Sequence, residues 1–228
     1  RHVESLDADF RDGLSRAATA LGQPWPDVLT ALTAAYCQRF GGHGEAVVGV
    51  PFMGRLGSAS ARVPAMVMNV LPLRVPAQPD ASVADFMQTM VRALLRGRRY
   101  GRYRGEQLRR DLGLIGGQRR LHGPLINVQP FYRPTVLAGA RASMEILATG
   151  PVDEITLGFR GDGTQALDLE IEANPDLYAP ADVAAHATRL RTFLVNAFAC
   201  ALQADARLDD VPLATPEEAT RTMFDFNV

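Results

Sequence analysis

The chain has 228 residues, 47% of them hydrophobic and 21% charged, with 24 basic side chains against 25 acidic ones and a formal net charge of -1. Such a composition excludes a disordered segment and a disulfide-built miniature domain, and it gives the molecule as a whole no footprint for a polyanion. No lysine occurs, so every basic residue is an arginine; arginine stands wherever a surface needs positive charge, and its abundance alone says little about phosphate binding.

In chain order, Asp7 is placed to cap a helix that reaches Leu21 and stops at Gly22, and a second helix is expected from Asp27 to Phe40, ended by Gly41 and Gly42. Leu29, Leu32, Tyr36 and Phe40 fall on one apolar stripe of it. Ala46 to Phe52 and Val67 to Val75 read as strands, their apolar runs suggesting cover on both faces, with a Gly-, Ser- and Ala-rich loop between them. Ser82 and Asp85 open a helix through Phe86, Met90 and Leu94. Further strands are expected at Pro124 to Phe131 and at Met144 to Ala148. Ile155 to Arg160 and Ala166 to Ala173 form a hairpin about the turn GDGT. Alternation of Leu167, Leu169 and Ile171 with Asp168, Glu170 and Glu172 predicts one wet acidic face. A long helix from Pro180 to Leu202 and a short apolar tail complete a single α/β unit, a mixed β-sheet flanked by helices.

Cys37 and Cys200 sit in apolar helical patterns and read as buried free thiols of a cytoplasmic protein. The longest apolar run, Pro64 to Ala77, is interrupted by Asn69, Pro72 and Arg74, so no membrane span is expected. The chain begins at Arg1 without methionine or leader and reads as a piece of a larger protein.

Motifs for local chemistry are missing. No Gly-rich stretch carries GK[ST], RLGSAS is not a nucleophile elbow, and His2, His43, His122 and His186 have no metal-ligand spacing around them. Charge, by contrast, is segregated. Ten arginines lie between Arg92 and Arg120 against only Glu106 and Asp111, leaving 14 arginines against 23 acidic residues elsewhere. Three polar residues also interrupt apolar strands: Asn69 in VMNVLPLR, Asn127 in GPLINVQPF and Arg55 after VVGVPFMG. A buried amide without partners costs about 1 to 3 kcal/mol, so each is either satisfied structurally or facing a shared polar crevice or a missing partner.

At these residues the sequence resembles the condensation domains of nonribosomal peptide synthetases. VVGVPFMGRLGSASARVPAMVMNVLPLRV is similar to that family's V-G-x-P-x-x-x-R and P-G-x-x-x-N-x-x-P-L-R region. RRYGRYRGEQLRRDLG, GPLINVQPF, ATGPVDEITLGF and NPDLYAPADVAAHATRLRTFL resemble later blocks in family order, closest to the group found in siderophore synthetases. Departures are the absence of the H-H-x-x-x-D-G motif, Glu154 in place of an aspartate, and no His and Gln before Arg99.

The resemblance implies one chloramphenicol acetyltransferase-like lobe, the C-terminal one, over residues 1 to 212, with 213 to 228 beginning a linker toward an adenylation domain. It implies amide formation between donor acyl and acceptor aminoacyl thioesters carried on phosphopantetheine arms, with the catalytic histidine in the absent N-terminal lobe and no catalytic residue, metal or directly bound cofactor in this chain. Arg55 would hold the missing motif's aspartate, Asn69 and Asn127 would line the tunnel, the hairpin around Gly161 would be a latch, and Gly54 to Val67 part of the floor. Tyr103 and Leu108 are expected to be packed, with the arginines on a solvated face near an acidic carrier protein. Partners would be the N-terminal lobe, donor and acceptor carrier proteins and the adenylation domain, without nucleic acid or membrane. Two other classes compete: a noncatalytic docking module for carrier or tailoring proteins, and an RNA-binding protein acting through Arg92 to Arg120.

Overall fold

The computed structural model describes residues 1–42, 44–54, 62–64, 67–114, 116, 120–130, 135–142, 146 and 150–225. Strand β1 (His2–Ser5) leads into helices α1 (Ala8–Leu21) and α2 (Trp25–Phe40), then β2 (Glu45–Met53), β3 (Met68–Pro76), α3 (Val83–Arg99) and α4 (Gly105–Asp111). Strands β4 (Leu125–Gln129), β5 (Thr135–Leu137), β6 (Ala140–Ala142), β7 (Ile155–Gly161) and β8 (Leu167–Ala173) follow, and then helices α5 (Pro180–Cys200) and α6 (Pro216–Asp225).

Local chemistry sets the helix ends. Asp7 Oδ1 accepts the Phe10 amide at 2.9 Å, and Gly22 closes α1 at φ 62°. Helix α2 starts at Trp25, ahead of the expected Asp27, because Pro26 falls in the first turn, where no amide hydrogen is needed. The Ser82 hydroxyl accepts the Asp85 amide at 3.1 Å to start α3. At α5, Pro180 opens the helix and Asp182 accepts the Ala179 amide at 2.9 Å.

Six strands form one mixed sheet in the order β1-β8-β7-β4-β2-β3. The β2–β4 and β4–β7 pairs are parallel and the remaining pairs antiparallel. Helices α2, α3 and α5 cover one face, packing against Val48, Leu73, Ile126, Leu157, Leu169 and Ile171, all 4% exposed or less, and α1 packs on α2 and α5. Each such buried aliphatic side chain contributes about 1.5 to 3 kcal/mol, so this single-faced core carries the fold.

Several expectations are corrected. Strand β3 is an edge, and its buried Leu71, Leu73 and Val75 alternate with less covered residues, so its apolar run does not mean burial on both faces. Pro72 and Pro76 are tolerated there because an edge needs no outward donor. The short β1 pairs with β8 and was not foreseen, four residues being too few to show a period. The acidic face of β8 is half covered rather than wet: Glu170 and Glu172 side chains are 12% and 13% exposed and pair with arginines. The hairpin around Gly161 is not a free latch. Strands β7 and β8 are interior, each flanked on both sides, and leave no open edge. Among the described residues, the hairpin outside the main sheet is β5–β6, which forms its own two-stranded sheet. Residues 144–145 and 147–148, expected as a strand, lie outside the described residues. The stretch read as the start of a linker carries α6, whose Glu218 exchanges hydrogen bonds with Thr215 at 3.0 and 3.2 Å and pairs with Arg189 of α5 at 2.6 Å.

Candidate active-site face

Successive strand residues point to opposite faces, so the register fixes what the helix-free face carries. Leu125, Thr156 and Glu172 form one row across β4, β7 and β8; Asn127, Gly158 and Glu170 form the next; Gln129, Arg160 and Asp168 form the third. In the middle row Gly158 leaves space beside Asn127. A cavity of about 220 Å³ opens there, bounded by Asn127, Gln129, Met68, Thr156 and Arg160. A second cavity, of about 670 Å³, lies at the C-terminal ends of β2 and β4 and reaches Asp27 and Thr30 in the first turns of α2. Met68, Asn127 and Gln129 line both. Among the described residues the Asn127 amide has no hydrogen-bond partner.

Charge on this face is internally matched. Arg160 Nη2 pairs with Glu170 Oε1, while Arg1 lies 3.5 Å from Glu170 and 3.2 Å from Glu172. Arg160 Nε and Nη1 are buried without a hydrogen-bond partner. At the larger cavity, Asp27 is 7% exposed and pairs with Arg98 of α3. Glu170, Glu172 and Asp27 are committed to guanidinium partners and Asp168 accepts the Ser5 hydroxyl at 2.6 Å, so among the described residues the face offers positioning and shape.

The residues singled out in the sequence do not converge. Asn69 lies on the helix-covered face: it pairs in register with Phe52, whose ring packs against α3 at Gly97. Its amide nitrogen donates to the carbonyls of Gly101 (3.0 Å) and Tyr103 (2.7 Å), and its oxygen accepts the Gly105 amide (3.2 Å). Asn69 and Asn127 therefore share no crevice. Arg55 and most of the floor segment 54–67 lie outside the described residues. Tyr103 is exposed rather than packed, at 44%, because it sits in the turn before α4, where its hydroxyl donates to Asp111; Leu108 is half-buried. Arg160, Gln129 and the Asp27–Arg98 pair were missed, since only the register and the packing of α2 on α3 bring them to the cavities.

The opposite ends of the parallel strands hold a third cavity, of about 770 Å³, with an aromatic wall of Tyr36, Phe40, Tyr178 and His186. Tyr36 Oη lies 2.9 Å from His186 Nδ1. Burial lowers the His186 pKa, keeping the ring neutral, raises that of Tyr36, and pushes the Cys37 thiol up to about 12, which makes it inert. Cys37 and Cys200 are free and half-buried. Among the described residues no group of three His, Cys, Asp or Glu side chains could hold a metal, and no helix is long and apolar enough to cross a membrane.

Residues 1–220 match the family model described as Condensation domain. The chain belongs to the condensation-domain family. Domains of this family form peptide bonds in nonribosomal peptide synthetases, as the sequence blocks implied. This condensation-domain chain is 38% identical over its whole length to a dimodular nonribosomal peptide synthase of Bacillus subtilis (strain 168), covering 10% of that protein. It is 42% identical over 87% of its length to an isonitrile lipopeptide synthase of Streptomyces coeruleorubidus, covering 14% of it. Among solved structures, the first condensation domain of the CDA synthetase matches 94% of the chain with 33% identity and a TM-score of 0.82; the chain covers 48% of that structure. The condensation-domain chain thus spans a small part of these synthases and about half of a solved condensation domain.

Proposed function

We propose that the chain is the C-terminal lobe of a condensation domain and forms one wall of the tunnel in which an acceptor aminoacyl thioester meets a donor acyl thioester. The observation that carries this reading is the sheet face that no helix covers among the described residues. One face is packed with helices, while the other is half-buried and carries Asn127, without a hydrogen-bond partner among the described residues, between two cavities. Coverage of about half of a solved condensation domain supports the same reading.

In the reaction the acceptor amine forms a bond to the donor carbonyl carbon, the carbon–sulfur bond breaks, and the amine proton is passed on as the donor's thiol leaves. The histidine that handles that proton belongs to the H-H-x-x-x-D-G lobe. This lobe holds the two phosphopantetheine-borne groups in register, and orientation of this kind is worth about 7 to 11 kcal/mol of barrier. Asn127, whose donors and acceptor have no partner among the described residues, orients a substrate carbonyl or amide. Asn69 serves the wall by fixing the α3–α4 connection, and Arg55 braces the missing motif's aspartate. The part of latch that crosses to the other lobe falls to β5–β6, since β7 and β8 are committed to the main sheet. Partners are the N-terminal lobe, donor and acceptor carrier proteins and an adenylation domain, in a synthetase of the siderophore or lipopeptide kind.

The test is excision of residues 1–220 from the intact synthetase. Loading of both carrier proteins is expected to persist while amide formation between them stops; amide formation that survives the excision would refute the assignment.

A further inference from the structure

Independently of that reaction, the segregated arginines pose a question that the arginine-only composition does not answer. Composition explains why the positive charges are arginines; it does not explain why some lack counter-charges. Many arginines elsewhere are paired, as in Arg39 with Asp209, Arg74 with Glu45, Arg191 with Asp7 and Arg207 with Asp80, although Arg16 and Arg221 have no ion pair among the described residues. Arg92, Arg96, Arg99, Arg102 and Arg104 are all exposed and, among the described residues, have no carboxylate partner.

Two of them, Arg92 and Arg96, stand one turn apart on α3 beside a groove of about 820 Å³ between that helix and the edge strand β3. Its floor is apolar, made by Leu71, Leu73, Ala93 and Gly97. Gly97 lets the floor close, because a Cβ there would meet the Phe52 ring at 2.6 Å. Tyr100 and Tyr103, 61% and 44% exposed, stand at the end of the groove. Exposed tyrosine and arginine around an apolar trough are the composition of an interface core.

The occupant can be narrowed. A strand adding to β3 is disfavoured: the Gly49 amide bonds to Pro124 of the β4 side, so its partner Pro72 points away from β2, and by alternation so does Pro76. Two outward donors of that edge are therefore missing. A nucleic acid would match the charge but leave the aliphatic floor unused. We propose that this groove receives an acidic amphipathic helix of a partner protein, its apolar stripe on Pro72, Ala93 and Tyr100 above the buried Leu71 and Leu73, and its carboxylates on Arg92 and Arg96.

The test uses the full-length protein and a synthetic helix of about 18 residues, leucines on one face flanked by glutamates, with a shuffled peptide of the same composition as control. Hydrogen exchange is expected to slow in α3 and β3 on adding the helix. The R92E/R96E double variant, at exposed positions and with an unchanged melting temperature, is expected to weaken binding by about tenfold or more. R92K/R96K is expected to retain most of it. Equal binding of the shuffled peptide, or no binding of either, would overturn the proposal. Displacement of the helix by polyuridylate at lower concentration would reassign the face to nucleic acid, and a self-associated protein that R92E/R96E makes monomeric would reassign it to a second copy.

Discussion

Asn69 and Asn127 look alike in the sequence, each an amide inside an apolar strand, yet they do different work. Asn69 spends its hydrogen bonds on the backbone of Gly101, Tyr103 and Gly105, whereas Asn127 spends none among the described residues. Asn69→Ala is therefore expected to cost about 1 to 3 kcal/mol in urea unfolding, and Asn127→Ala close to nothing; equal losses would contradict the division. Asp162 makes a second case. Backbone amides of Thr164, Ala166 and Gln165 hold its pKa at about 2, below the ordinary 3.8. A depressed pKa adds stability above the unfolded value and loses it as pH falls through the folded one. The stability gap between the native protein and Asp162→Asn should be full at neutral pH, shrink below about 3.8 and vanish near 2, read by unfolding curves across that range. Both asparagines were legible in the sequence as oddities. Which face each occupied was not, because that depends on register, and Arg160 escaped notice because its partner Glu170 comes from the neighbouring strand.

At the scale of elements, capping chemistry was readable: Asp7, Gly22, Ser82 and Pro180 mark helix ends where the sequence placed them. Short strands were not. Strand β1 and the β5–β6 hairpin, four and three residues long, are set by partners distant in sequence or by a turn at Ala138 and Gly139, not by any period. The β7–β8 turn shows how an element is tied to the helical layer. Gly163 adopts φ 76°, and a Cβ there would meet the Trp25 ring at 2.7 Å. Gly163→Ala should lower stability by about 1 to 3 kcal/mol and shift the emission of Trp25, the chain's one tryptophan; unchanged emission would mean the contact is absent. Helix α6 hangs on a smaller hold, the Glu218 pair with Arg189 and its reciprocal bonds with Thr215. Glu218→Ala is expected to speed hydrogen exchange across 216–225 while leaving α5 unchanged.

The whole molecule is a six-stranded sheet dressed with helices on one face. Composition and motif order indicated an α/β unit of this family, and the family match bears that out. They could not indicate which side the described helices would leave bare, since the apolar runs of β2 and β3 look the same whether a strand is central or at an edge. On the proposed reading, this face, free of helices among the described residues and carrying half-buried polar rows with carboxylates paired to arginines, is the wall that the other lobe completes. The most direct test is amide formation from carrier-bound donor and acceptor thioesters by this chain alone and with a separately produced H-H-x-x-x-D-G lobe. No product from the chain alone and product with both lobes together is the expected result; turnover by the chain alone would contradict the assignment of the chemistry to the other lobe.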